Sequence, residues 1–498
     1  MIENNKVIII GSGVAGLAAA IRLSVAGMKV EVYEKNSVPG GKLAAFHLDG
    51  YQFDSGPSLF TQPDNVKELF ELAGEPIEDY LQYTKLDTSC KYFFENGKII
   101  NAYSDKEKLA EELHKVAGED PNKVKRYLTR SEKLYNSLGN VFINSSLKKM
   151  SSWPLQQVIR ALASLRLPYL FSTLASYNRK QFKSPETRQL FNRFATYNGS
   201  NPFQAPAMLS MIPHLEINQG TFYPEGGMIS ITNALYNLAR KKSVNFHFNS
   251  CVERIIHNGV HVQGIVVNNE NIFADIVISN ADVYNTYKYL LRNNIKARKL
   301  LKKERSSSAI IFYWGIAKVH SELGLHNIFF SKDYKTEFDF LFDKKSIHSD
   351  PTIYVNISSK MQNEFAPDGK ENWFVMVNVP SNTGQDWNAL SVRIRKNIIQ
   401  KLNKMLDTNI ELLIETEKIL DPTGIEDASG SYMGSLYGNS SNSKLSAFSR
   451  PANFTSSAKQ LYFCGGTVHP GGGIPLCFKS AKITADLIRK DILNAGVN

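Results

Sequence analysis

A glycine-punctuated turn between an apolar run and a small-residue segment constrains this chain more than any other feature. Residues 6–10, KVIII, read as a fully buried parallel strand, residues 14–26, VAGLAAAIRLSVA, as a helix, and residues 29–34, KVEVYE, as a second strand. The turn between strand and helix is Gly11-Ser12-Gly13-Val14-Ala15-Gly16, and Glu34 closes the second strand 18 residues after Gly16. Gly11 permits the tight turn, Gly13 lets backbone N–H groups approach a diphosphate, and Gly16 lets the helix pack close to the strand. Val14 and Ala15 open the helix, whose unsatisfied N–H groups and dipole favour negative charge. Glu34 is placed to accept hydrogen bonds from an adenosine ribose and would repel a 2′-phosphate, which argues against NADP.

Either NAD or FAD fits that unit. The following residues favour the longer, flavin-bearing ligand: Gly40-Gly41-Lys42 comes six residues after Glu34, and Asp54-Ser55-Gly56-Pro57-Ser58 follows. A plain NAD-binding unit usually runs on into another crossover helix instead. A second glycine run closes the chain, since five of the nine residues from Gly465 to Gly473 are glycine and a helix is expected from about Leu476 to Leu493. Such a run exposes N–H groups at a helix N-terminus, where a ring edge or phosphate oxygen can sit.

At 498 residues the chain exceeds what one hydrophobic core supports, so two or more lobes are expected. Its 43% hydrophobic and 21% charged residues are those of a folded protein. The four cysteines, Cys90, Cys251, Cys464 and Cys477, include no closely spaced pair, so neither a disulfide framework nor a thiolate zinc cage is expected, and a reducing compartment follows. The apolar stretch Val7 to Ile21 is too short to span a bilayer, and its glycines argue against a signal-peptide core. The net charge of +11 favours an anionic partner without choosing one.

Four blocks carry a family resemblance: IIGSGVAGLAAA with YEKNSVPGGK, then FDSGPS, then FYPEGGM, then LYFCGGTVHPGGGIPLCFKSAKI. On these residues the chain resembles the FAD-dependent carotenoid desaturases of bacterial phytoene desaturase type, within the flavin amine oxidase superfamily. The resemblance implies an α/β fold: a Rossmann-like FAD-binding domain of the flavin amine oxidase/GR2 type, a second mixed-sheet substrate domain, and a helical membrane-facing segment. The expected division is 1–80, 220–300 and 455–498 for the FAD domain, 81–132 and 301–454 for the substrate domain, and 133–219 for the helical segment. The implied FAD-binding residues are Gly11, Gly13, Val14, Ala15, Gly16, Glu34, Lys35, Gly41, Lys42, Gly56, Pro57, Ser58, Val252, Gly465, Gly466, Gly473 and Ile474. Val252 would meet the adenine through its main chain, with Cys251 a buried neighbour and Asn280 and Ala281 near the dinucleotide. His469 receives no catalytic role, Cys464 reads as a small buried residue at a strand end, and neither a catalytic residue nor a metal is assigned.

Between the blocks, VNFHFNSCVERI reads as a strand pair, and HVQGIVVNN and ADIVISNAD as two further strands. Residues 308–317, 352–358 and 373–379 are rich in β-branched and aromatic residues and suggest a second, mixed sheet. Residues 387–406 form an amphipathic helix capped by Asp386. Phe194, Tyr197, Met208, Met211, Phe312 and Trp314 are candidates for a tunnel wall, against the plainer reading that each is core.

From Lys133 to Pro185 no Asp or Glu occurs, while eight Lys and Arg do. Leu155, Val158, Ile159, Leu162 and Leu165 share one helical face beside Trp153, the pattern of a monotopic anchor on an anionic membrane surface. Peripheral attachment at the cytoplasmic face is expected; the alternative is an apolar face packed on the body. Nucleic acid is not expected, because no groove-reading motif accompanies the charge.

The implied chemistry is hydride transfer from an allylic C–H to flavin N5 with loss of a proton, in a dry apolar tunnel, with oxygen or a quinone as final electron acceptor. A 1-hydroxycarotenoid, desaturated at its 3,4 bond, is the favoured substrate. Phytoene desaturase, a redox-neutral carotenoid isomerase and a non-catalytic lipid-binding protein of related fold are the alternatives.

Overall fold

The computed structural model describes residues 5–146, 169, 171–443 and 450–495. The expected amphipathic face at Leu155 to Leu165, with Trp153, lies outside these residues.

The first three elements follow the sequence pattern: strand Lys6–Ile10, helix Val14–Val25 and strand Lys29–Tyr33. Their strands pair in parallel, Ile9 opposite Val32, and the apolar run of the first is buried from Val7 to Ile10 because both faces of a parallel sheet are covered. Strands Asn245–His247, Ile276–Ser279 and Leu461–Phe463 complete a five-stranded parallel sheet. Its order puts the N-terminal strand and the last strand on either side of Ile276–Ser279, so the two glycine runs leave the same edge of the sheet. The closing helix, Ile474–Ala495, packs against helix Val14–Val25.

The segment VNFHFNSCVERI does not form a strand pair. Asn245–His247 joins the parallel sheet beside Lys29–Tyr33, while Val252–His257 enters a three-stranded antiparallel sheet with Val262–Val267 and Glu270–Phe273. The chain is diverted between them where Asn249 N bonds the Asn36 carbonyl and Ser250 N bonds the Glu34 carbonyl. Glu270–Phe273 is too polar to stand out as a strand by itself.

A seven-stranded mixed sheet forms the second layer, built from Thr88–Phe93, Ile99–Tyr103, Ser308–Ile316, His326–Phe329, Ile353–Asn356, Glu371–Val379 and Ile414–Leu420. All its pairings are antiparallel except His326–Phe329 with Thr88–Phe93. Strand Ser308–Ile316 is buried throughout and splits by alternation: Ile310, Phe312, Trp314 and Ile316 pack in one core, Ala309, Ile311 and Tyr313 in another. Helix Trp387–Leu406 covers the first of these cores, and the Asp386 carboxylate caps it by accepting from Ala389 N at 3.0 Å. Helices Pro121–Phe142, Leu174–Gln181 and Pro185–Asn192 cover the edge of the sheet nearest Thr88–Phe93. Among the described residues no helix is long and apolar enough to cross a membrane.

Candidate cofactor and substrate site

Gly11 sits at φ +94°, a left-handed conformation that side chains rarely adopt, and so turns the chain from strand to helix in one step. Helix Val14–Val25 then begins with no side-chain cap and no acid in its first turn, leaving its first N–H groups for an anion. Glu34 is buried, and its carboxylate is tied to this turn: Oε2 accepts from Ser12 N and Ser12 Oγ at 2.8 Å each, and Oε1 accepts from Asn36 N at 3.0 Å. Oε1, with a single partner among the described residues, retains acceptor capacity, and Glu34 lines the cavity.

Asn280 joins the two glycine runs. Its N donates to the Ile10 carbonyl at 2.8 Å and its Nδ2 to the Cys464 carbonyl at 3.2 Å. A Cβ on Gly13, Gly16 or Gly465 would lie 2.9, 2.9 or 2.7 Å from this side-chain amide, so only glycine allows so close an approach from three directions. The loop at Gly40-Gly41 docks on the same turn, with Gly40 N donating to the Ser12 carbonyl at 3.0 Å. Lys42 donates to the Leu436 carbonyl at 3.0 Å, and burial pushes its ammonium down to about 8 against the opposing pull of Asp282.

Gly11, Gly13, Val14, Ala15, Glu34, Lys35, Gly41, Lys42, Gly56, Pro57, Ser58, Val252, Gly465, Gly466, Gly473 and Ile474 all line one cavity of about 1000 Å³. Gly16 does not. It faces the preceding turn, where a Cβ would meet the Gly11 carbonyl oxygen at 2.2 Å, so its place is in helix packing rather than on the wall. Cys251 is exposed rather than buried, because it precedes the strand whose first residue, Val252, turns inward. Cys464 is buried just beyond strand Leu461–Phe463 and off the wall; His469 lines the cavity, with Nε2 3.0 Å from the Ser145 carbonyl.

The residues present fit a dinucleotide-linked flavin. Two helix N-termini with no acid in the first turn open on the cavity, glycines form the cradle, and an acidic side chain with acceptor capacity closes the second strand.

The same cavity continues into an apolar chamber walled by Leu138, Phe142, Met208, Met211, Ile212 and Ile328, with Tyr197 beside them. Tyr197, Met208 and Met211 therefore stand where a tunnel wall was expected, whereas Phe194, Phe312 and Trp314 are buried in the cores. Within this chamber is a polar cluster that sequence reasoning missed. Arg193 Nη2 donates to both oxygens of Glu216, at 3.0 and 2.8 Å; Tyr197 Oη also donates to Glu216, and Ser89 Oγ does so at 3.2 Å. His326 and Tyr354 meet at 2.8 Å, and Tyr354 meets Ser58 at 2.7 Å. Burial pushes the His326 imidazole down to about 4, so the ring is neutral at ordinary pH. Tyr197, Met208 and Met211 pointed to this region, but Glu216, the ion-pair partner of Arg193, is 23 residues away and leaves no local pattern.

The family model for flavin containing amine oxidoreductase matches residues 14–489. The chain is 47% identical over 484 residues to a 1-hydroxycarotenoid 3,4-desaturase from a Flavobacterium species, covering 97% of this chain and 99% of that one. It is 31% identical to a phytoene desaturase from Phycomyces blakesleeanus, covering 98% of this chain and 86% of that one. Among solved structures, a putrescine oxidase bound to putrescine superposes with a TM-score of 0.61 at 15% identity, over 99% of both chains, which speaks for the fold alone.

Proposed function

We propose a specific activity on the premise that this chain belongs to the flavin containing amine oxidoreductase family and is a flavin-dependent oxidoreductase of the carotenoid desaturase type. The activity is FAD-dependent desaturation of a carotenoid, favoured on a 1-hydroxycarotenoid at its 3,4 bond. One observation carries it: the glycine cradle and the apolar chamber are a single continuous cavity. A cofactor held at one end therefore faces a water-poor space at the other. The similarity to the Flavobacterium desaturase supports the choice of bond.

FAD bound there supplies a two-electron acceptor for the hydride of an allylic C–H, the adjacent carbon giving up a proton to complete the double bond. The chain's own residues bind, orient and exclude water. The first N–H groups of helices Val14–Val25 and Ile474–Ala495 hold the diphosphate and the ring end, and Glu34 Oε1 takes the ribose. Met208, Met211, Ile212 and Ile328 place the polyene and keep water out, so that positioning carries the rate.

Product mass tests the reading. Each new double bond is expected to lower the mass of the carotenoid by two hydrogens. An isomerase would leave the mass unchanged, and a lipid-binding protein would show no flavin absorbance after FAD is added.

The reading includes peripheral attachment to an anionic membrane, from which an insoluble polyene is drawn, and oxygen or a quinone as final acceptor. The basic run from Lys133 to Lys183 supports the attachment, worth about 1 kcal/mol for each basic residue near the surface. Replacing Arg160, Arg166, Arg179 and Lys180 by Gln is expected to weaken co-sedimentation with anionic liposomes. Unchanged partitioning would instead place these residues away from the membrane.

A further inference from the structure

The chamber holds more polar chemistry than a hydrocarbon needs. Arg193 and Glu216 form an ion pair with side chains only 11% and 1% exposed. Glu216 lies in the π-helical turn His214–Gln219, a rare backbone form that concentrates at functional sites. The rings of Tyr92, Phe194 and Tyr197 surround the guanidinium at 5.2, 4.8 and 5.3 Å. Yet Arg193 Nε, buried in this cage, has no hydrogen-bond partner among the described residues.

His326 carries the second orphan. Asn356 Nδ2 donates to the Leu325 carbonyl at 3.1 Å, which sets the orientation of its amide because a carbonyl cannot donate. The other hydrogen of that amide points to His326 Nδ1 at 3.1 Å, so Nδ1 is an acceptor and the ring proton belongs to Nε2. Nε2 is buried and has no partner among the described residues. Both orphan donors therefore belong to side chains on the wall of one cavity, and a buried donor left unpaired costs free energy that a ligand acceptor can return.

We propose that Arg193, Glu216 and His326 form an oxygen-recognition subsite for a hydroxyl group on the polyene, with Arg193 Nε and His326 Nε2, both covered as the side chains lie, turning to donate to its oxygen. An alcohol oxygen offers two lone pairs, which match the two donors. A polyene without the hydroxyl leaves both unpaired, the arrangement by which a site rejects an analogue lacking one polar group. The subsite adjoins the cradle, since Tyr354 bridges His326 to Ser58, which follows Gly56 and Pro57 on the wall. That closeness suits a substrate in which a single carbon separates the hydroxylated carbon from the bond oxidised. The inference rests on the proposed desaturase reading and names the group its substrate must carry.

The test measures dissociation constants for a 1-hydroxycarotenoid and for the same polyene without the hydroxyl, by quenching of tryptophan fluorescence on flavin-loaded protein, together with turnover of each. The wild-type preference for the hydroxylated polyene is expected to be at least about tenfold. It is expected to vanish in His326→Phe and in the double variant Arg193→Met with Glu216→Leu, and to return in His326→Gln, whose amide restores a donor. Preference is a ratio within one protein, so partial loss of folded material cancels. Equal binding of the two polyenes by the wild type, or a preference that survives His326→Phe, overturns the subsite. Selective binding without conversion of either polyene supports the subsite and overturns the desaturase reading alone.

Discussion

Gly16→Ala is expected to yield protein that purifies without bound flavin. The added methyl carbon would stand 2.2 Å from the Gly11 carbonyl oxygen and 2.9 Å from Asn280 Oδ1. The first of these is backbone and cannot swing away, so helix Val14–Val25 must move off the turn that it and Gly11 build together. Overpacking of this kind costs about 1–3 kcal/mol. Carried entirely into cofactor affinity, that amounts to roughly 5- to 150-fold weaker binding. The flavin-to-protein absorbance ratio after gel filtration checks it, and a ratio equal to wild type would mean that the helix tolerates the shift. Gly13→Val separates cradle from packing. Gly13 lines the cavity and its closest obstacle is the side-chain amide of Asn280, so this variant is expected to fold and still exclude the diphosphate.

The second large effect is expected from Arg193→Met. It strands the Glu216 carboxylate, 1% exposed, without its cation, and breaking a buried pair in this way costs about 3–5 kcal/mol. The midpoint of urea unfolding is expected to fall accordingly. Replacing both partners, Arg193→Met with Glu216→Leu, removes the stranded charge together with its desolvation penalty and is expected to recover most of the loss. A single variant as stable as wild type would mean that water or rearrangement rescues Glu216. Recovery in the double variant would show that the pair is kept for recognition rather than for stability, since an apolar replacement fills the same space without the cost of burying charge.

The local elements were legible because their causes are local. Buried parallel strands read as unbroken apolar runs, and Lys6–Ile10 and Ile276–Ser279 do so. A carboxylate before an amphipathic run marks a helix start, as Asp386 does for Trp387–Leu406. Strand Ser308–Ile316 shows where this stops. Apolar side chains occupy both of its faces, so no polar alternation reveals which aromatic points where, and Phe312 and Trp314 enter a core instead of the chamber. The motif's spacing already gave Gly16 its part in close helix packing, and the 2.2 Å from its would-be Cβ to the Gly11 carbonyl oxygen adds that it stands off the cavity wall.

By itself the sequence determined that a strand, a glycine turn and a helix would present unpaired N–H groups to an anion, with an acid at the end of the next strand, because those features lie within 29 consecutive residues, Lys6 to Glu34. Tertiary structure alone decided that Asn280 would wedge the two glycine runs together, and that Ser89, Arg193, Glu216, His326 and Tyr354 would meet in one apolar chamber. The reason is that side-chain periodicity reports the faces of one element at a time. A polar cluster assembled from separate strands and a π-helical turn exists only once sheet order and chain crossings have brought those faces together.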